Sequence, residues 1–210
     1  MQNFAIVGKS ISVFSDVKAG YPIIYLNTFS SEGQKVFEAA QAAGYLPFTL
    51  VAISDLDWNH DMAPWDSPVA FKKGDPFTGG ADDYLRLLVE EIIQEAEKEL
   101  LGPPAWRGIA GYSLAGLFAL CAVYQTDVFS QVGCMSGSLW FPGFKEYVFF
   151  HDLRHTFATV ALQSGVDVKT VSAMLGHYDA GFTLRTYTHT NRRMQEKAAE
   201  KMGNFMAQVL

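Results

Sequence analysis

A serine between two glycines is the residue in this sequence best suited to nucleophilic chemistry. The run from Gly111 to Gly116 contains the pattern G-x-S-x-G, after a short apolar run and before an apolar, helix-like stretch. Glycines in these positions let the backbone turn sharply, so that Ser113 would stand at the carboxyl end of a strand. The amide of Leu114 could then donate a hydrogen bond to an oxyanion. A glycine-rich turn without catalysis is the alternative interpretation of the same pattern.

A second group of reactive side chains lies in the last 60 residues. His151 and Arg154 are spaced i, i+3, which places them on one face of a helix. His177 follows a Leu-Gly pair where a helix should end, and Tyr187 and His189 are flanked by threonines. We expect no metal site, because these histidines lack an H-E-x-x-H pattern and a nearby cysteine pair.

Other acids and bases precede the serine in the chain. His60 is interpreted as a polar loop histidine, and Asp57, Asp61 and Asp66 as loop and cap residues. None of the four therefore serves as the predicted partner of Ser113.

These residues must be positioned by two different kinds of element. Short β-branched or aromatic runs predict strands over 11–14, 23–26, 48–53, 108–111 and 131–135, and helical patterns cover 33–43, 82–101 and 114–124. Strands that alternate with helices predict an α/β fold with a mainly parallel sheet and helices on both faces. From about residue 151 the apolar residues follow helical spacing, which predicts an all-helical C-terminal segment.

Composition and charge narrow the class of protein. Hydrophobic residues make up 49% and charged residues 18%, which is typical of a folded domain. No apolar run approaches the ~20 residues that span a bilayer, and two cysteines in apolar surroundings favour a reducing cytoplasm. Residues 1–150 carry 9 Lys and Arg against 17 Asp and Glu, whereas residues 151–210 carry 7 against 5. This shift suggests two segments of different origin, with chance variation along one domain as the alternative.

The first segment resembles the esterase family of the α/β-hydrolase fold that includes enterobactin-esterase-like proteins. The resemblance extends from about residue 21 to 147, and these stretches carry it: Pro22–Thr28, Asp57–Asp61, Gly79–Asp82, Ala110–Gly116 and Ser136–Trp140. It implies that Ser113 is the nucleophile and that the Leu114 amide is half of an oxyanion hole. The other half would come from the loop after Leu26, near Asn27 or Thr28.

The hydrolase pattern is truncated. In α/β-hydrolases the triad acid and histidine follow the serine on later strands. No run of residues after Trp140 predicts such a strand. The resemblance therefore implies a serine hydrolase with an incomplete triad.

The last segment resembles the C-terminal part of the tyrosine recombinase, or phage integrase, catalytic domain. Three stretches carry this resemblance in the family's order: His151–Thr159, Met174–His177 and Thr183–His189. It implies that Tyr187 would attack a DNA phosphodiester, and that Arg154 would hold the phosphate oxygens. His151 and His177 would assist proton transfer and phosphate binding.

The recombinase pattern is truncated as well. Its first arginine and its lysine belong upstream of His151, where this chain is hydrolase-like. The small net positive charge of residues 151–210 is also too low to indicate strong binding to the phosphates of DNA.

The sequence is therefore interpreted as a chimera, with residues 1–147 hydrolase-like and residues 148–210 integrase-like. Three functions remain open. The first is a weak or inactive esterase that takes a small ester, and the second is a recombinase fragment that lacks catalytic residues and whose DNA binding rests on resemblance alone. The third is a non-catalytic fusion product. No cofactor and no membrane partner is expected. Because missing strands would expose a sheet edge and apolar faces, we expect a homodimer, with the last helices folded back onto their own sheet as the alternative.

Overall fold

A computed structural model describes residues 2–15, 20–68, 74–98 and 102–175. For residues 150–156 and 163 it describes the backbone alone. The chain separates into two compact units, residues 1–142 and 143–210.

The first unit is built on a six-stranded sheet. Its strands run in the spatial order β1-β2-β4-β3-β7-β8. The strands are β1 Gln2–Ile6, β2 Lys9–Ser15, β3 Ile23–Asn27, β4 Thr49–Ser54, β7 Arg107–Tyr112 and β8 Gln131–Met135, and β5 Asp66–Ser67 pairs separately with β6 Phe77–Thr78. The pairs β4/β3, β3/β7 and β7/β8 are parallel, while β1/β2 and β2/β4 are antiparallel. The prediction of a mainly parallel sheet is confirmed, and the strand that it missed is β1.

Helices lie on both faces of this sheet, as the sequence predicted. They are α1 Gly33–Ala42, the single turn α2 Trp58–Asp61, α3 Ala81–Leu87, α4 Ile93–Glu97 and α5 Leu114–Gln125, with a π-helical turn over Leu88–Ile92 between α3 and α4. On one face, Phe37 of α1 joins a core with Phe14, Leu26, Leu50 and Ala52. On the other face α5 packs so closely on β7 that Gly111 touches the backbone of Ala115.

The face that carries α1 is only partly covered. Beyond α1 there is a cavity of about 480 Å³ with an almost wholly apolar lining. Its floor includes Ile24, Leu26, Ala110 and Met135, and Met135 is 48% exposed. This part of the sheet therefore presents an apolar surface beside β8.

A polar cluster fixes the centre of the sheet to α4. Arg107 of β7 donates two hydrogen bonds of 2.6 Å to Glu97, which also accepts one of 2.7 Å from the Tyr25 hydroxyl. Burial, and next the Glu97 charge, raise the pKa of Tyr25 well above its ordinary value. The strand that ends at the candidate nucleophile is thus held by a bidentate ion pair.

The second unit is helical wherever it is described. Helix α6 Phe144–Gln163 and helix α7 Val168–Leu175 are joined by a turn with Gly165 at φ +92°. Ala158 and Leu162 of α6 pack against Val171 and Leu175 of α7. The predicted helical segment is confirmed over this range, and residues 176–210 lie outside the described residues. In the described parts of both units, no helix is long and apolar enough to cross a membrane.

Candidate functional site

Ser113 occupies a sharp turn between β7 and α5. Its backbone has φ +54° and ψ −121°, a conformation that side chains with a Cβ rarely adopt. Such a conformation costs of order 1–3 kcal/mol and is concentrated at functional sites. The turn presents Ser113 at the carboxyl end of β7, as a nucleophile elbow would.

The glycines of the motif are required by close packing. A Cβ on Gly111 would lie 2.5 Å from the carbonyl carbon and oxygen of Ala115. A Cβ on Gly116 would lie 3.0 Å from the Gly111 oxygen and 3.1 Å from the Gly137 Cα. The motif therefore brings strand, helix and the loop after β8 together at one point.

Hydrogen bonds to the loop after β8 hold the elbow. The Ser113 amide donates to the Met135 carbonyl at 3.0 Å, and its carbonyl accepts from the Ser138 amide at 2.9 Å. The Ser138 hydroxyl lies 3.3 Å from the Ser113 Oγ and is nearly buried. Sequence reasoning missed Ser138, although its segment was one of the stretches that resembled the esterases.

The Leu114 amide stays a predicted oxyanion donor, and the Thr28 amide is already occupied. Leu114 is the first residue of α5, where amides lack partners within the helix. The Thr28 amide instead donates to the Ile53 carbonyl at 2.9 Å, and so does its hydroxyl. Asn27 is fully buried, and its Oδ1 accepts from the Tyr84 hydroxyl at 2.5 Å. Among the described residues its Nδ2 has no partner, so an oxyanion role for Asn27 stays a prediction.

An aromatic cluster stands beside the nucleophile. The Trp58 ring lies 5.2 Å from Phe29 and 5.7 Å from Tyr112, the residue before Ser113. Partial burial tends to raise the pKa of Glu32, but hydrogen bonds from Ser30 and the Tyr112 hydroxyl outweigh it and lower that pKa. Burial and the charge of Glu32 raise the pKa of Tyr112. Glu32 thereby connects the loop after β3 to the residue next to the nucleophile.

The polar residues upstream of Ser113 have structural contacts. Nδ1 of His60 lies 2.8 Å from the Thr78 hydroxyl, and its ring packs against Gly80. Asp61 is ion-paired with Lys9 and accepts the Asp57 amide at 2.7 Å. Among the described side chains, Ser113 has Ser138 as its hydrogen-bonding neighbour and no histidine.

The integrase-like residues are only partly visible. His151 and Arg154 lie on helix α6, with their side chains outside the described atoms. His177 and Tyr187 lie outside the described residues, as does His189. Their assembly into a phosphate site therefore stays a prediction. Within the described residues, no cluster of His, Cys, Asp or Glu could hold a metal ion.

Comparison with known proteins separates the two segments. Residues 135–194 match the model of the phage integrase family. Tyrosine recombinase XerD of Staphylococcus aureus strain N315 is 45% identical over 132 residues, which are 60% of this chain and 40% of XerD. The uncharacterized protein YbbA of Bacillus subtilis strain 168 is 26% identical over 159 residues, which are 72% of this chain and 64% of YbbA. The chain thus spans less than two thirds of either relative.

Solved structures show the fold of the first segment. The BES protein from Bacillus cereus matches with a TM-score of 0.60 and 21% identity, over 74% of this chain and 70% of that protein. An IroE-like serine hydrolase from Shewanella oneidensis matches with a TM-score of 0.55 and 22% identity, over 70% of this chain and 51% of that protein. The first segment therefore shares the fold of these α/β structures, and residues 135–194 are similar to the phage integrase family, which is consistent with the chimera that the resemblances implied.

Proposed function

We propose that this protein is an esterase-like serine hydrolase with an incomplete triad, active only weakly on small esters. The observation that carries the proposal is Ser113 in a strained elbow with the Leu114 amide beside it. In this mechanism the Ser113 Oγ attacks the ester carbonyl carbon, and Leu114 donates to the oxyanion. The alcohol then leaves, and water hydrolyses the acyl-serine ester.

The weak activity follows from the missing base. General base assistance contributes typically 10²–10⁴-fold to such reactions. No described histidine contacts Ser113, and we propose that its proton passes to solvent. The acylation step would be slowed by about this factor relative to a complete triad.

Hydrolysis of p-nitrophenyl acetate tests the proposal. We expect slow release of p-nitrophenol and an acetylated Ser113 detectable by mass spectrometry, both abolished in Ser113→Ala. Ser130→Ala is the matched control, because Ser130 is an exposed serine immediately before β8. Equal rates in wild type and Ser113→Ala would contradict the proposal. Ordinary esterase turnover that depends on Ser113 would instead mean a recruited histidine, which variants of His151, His155 and His177 would identify.

A second candidate is a recombinase fragment, favoured by the phage integrase match over residues 135–194. We propose that this segment does not complete strand cleavage, because its first arginine and its lysine are missing from the sequence pattern. Loss of one preorganised donor commonly costs 10²–10³-fold. A nicked duplex that traps phosphotyrosine intermediates is the assay, with Tyr187→Phe as its control. A covalent adduct in wild type that Tyr187→Phe abolishes would establish recombinase chemistry and reverse this proposal.

We also propose a cytoplasmic homodimer that forms through the β8 edge. Strand β8 ends the sheet and has no charged residue. Uncharged, exposed edges pair readily with other strands. Light scattering at micromolar concentration should give a dimer mass that Val132→Lys reduces and Val7→Lys, at the opposite end of the sheet, does not. A monomer mass in wild type would refute the dimer.

A further inference from the structure

Among the described side chains, the hydroxyl of Ser138 is the hydrogen-bonding neighbour of the nucleophile. Its Oγ lies 3.3 Å from the Ser113 Oγ, and the residue is 3% exposed. Its amide donates to the Ser113 carbonyl at 2.9 Å, which fixes the backbone from which the hydroxyl projects. Hydrogen bonds of catalytic groups are often long without substrate, so 3.3 Å is compatible with a working contact.

The order of the strands defines the side of Ser113 on which Ser138 lies. Strand β7 stands between β3 and β8, so the loops after β3 and β8 flank Ser113 on opposite sides. The expected oxyanion loop follows β3, whereas Ser138 follows β8. Ser138 therefore lies on the side away from the oxyanion loop, where the nucleophile's own proton can be directed.

The segment that carries Ser138 is tightly constrained. Ser136 has φ +47°, a strained value for a residue with a Cβ. A Cβ on Gly137 would lie 2.3 Å from the Cys134 Sγ, so the loop passes directly over that sulfur. These constraints hold the backbone that carries Ser138 beside Ser113.

We infer that Ser138 is a positioning residue for the nucleophile. Its oxygen accepts the hydrogen bond of the Ser113 hydroxyl and directs a lone pair of the Ser113 Oγ toward the ester carbon. Ser138 takes no proton itself, because a serine hydroxyl is far too weak a base. The inference rests on the proposed esterase function. It adds a residue that orients the Ser113 hydroxyl before this hydroxyl loses its proton.

Acylation kinetics test this role. A neutral hydrogen bond contributes about 0.5–1.5 kcal/mol, so Ser138→Ala should lower the acylation rate constant for p-nitrophenyl acetate about 2- to 13-fold. KM should stay unchanged, and Ser138→Thr, which keeps a hydroxyl, should restore the rate. Ser130→Ala should match wild type. A wild-type rate in Ser138→Ala, or a Thr variant as slow as the Ala variant, would overturn the inference.

A crystallographic measurement decides the inference independently of activity. The Ser113 side chain should have one rotamer in wild type and in Ser138→Thr, and several in Ser138→Ala. A single unchanged rotamer in all three proteins would refute positioning by Ser138. If wild type lacks acylation that depends on Ser113, the proposed function fails, while the rotamers still decide the role of Ser138.

Discussion

The substitution Gly111→Ala tests the packing that builds the elbow. The new Cβ would lie 2.5 Å from two backbone atoms of Ala115 and 2.6 Å from its Cβ. Carbon atoms in contact stand about 3.5–4.0 Å apart, so β7 and α5 would have to separate by roughly 1 Å. Overpacking of this kind costs about 1–3 kcal/mol, which corresponds to a fall in Tm of about 2–12 °C for a chain of this size.

Thermal unfolding monitored by tryptophan fluorescence measures this loss. Gly102→Ala is the matched control, because a Cβ there meets no atom within 4 Å. Adding Ala115→Gly to Gly111→Ala should not restore stability, since it removes only the Cβ contact and leaves both backbone contacts. A Tm for Gly111→Ala equal to that of wild type, or full rescue by Ala115→Gly, would refute the packing argument.

Two further predictions concern titrating groups. Burial, and next the charge of Asp82, raise the pKa of Cys121 to about 12. In Cys134→Ser protein the remaining thiol should therefore react with Ellman's reagent at least roughly fiftyfold slower than a free thiol of pKa about 8.5, until denaturant is added. Rapid reaction of the native protein would contradict this prediction. The Thr170 side chain, and next its backbone amide, lower the pKa of Asp167, so its contribution to stability is present above the unfolded pKa of about 3.9 and disappears as the pH falls through the lower folded value. Carbon NMR of the Asp167 carboxyl should show this low midpoint, and Thr170→Val should raise it. Equal midpoints in both proteins would be evidence against the hydrogen bond from the Thr170 hydroxyl to the Asp167 carboxylate.

Local sequence signals predicted the elements better than the contacts between them. The run 131–135 coincides with β8 because a serine before it and Ser-Gly-Ser after it delimit it. Strand β1 was missed because Gln2 and Asn3 open it, and its pairing with β2 depends on the turn at Val7 and Gly8.

The site shows the same division. The G-x-S-x-G spacing pointed to Ser113, because the turn is encoded by neighbouring residues. The hydrogen bond from the Thr28 amide to the Ile53 carbonyl depends on the parallel pairing of β3 with β4. No local sequence pattern predicts this pairing. The approach of Ser138 to Ser113 likewise crosses from β8 to β7 over 25 positions of sequence.

Helix α6 runs without interruption from Phe144 to Gln163, through the junction at which the hydrolase resemblance gives way to the integrase-like histidine. The compact units instead divide after Pro142, so Phe144 and Tyr147 fold with the integrase-like residues, and their rings stack 6.3 Å apart. A chain cut at residue 147 would end in a single helical turn, which is too short to be stable alone. The hydrolase resemblance and the folded units thus divide this polypeptide at different residues: Phe144–Tyr147, which the resemblance to the esterases still includes, form the first turn of a helix that continues into the integrase-like segment.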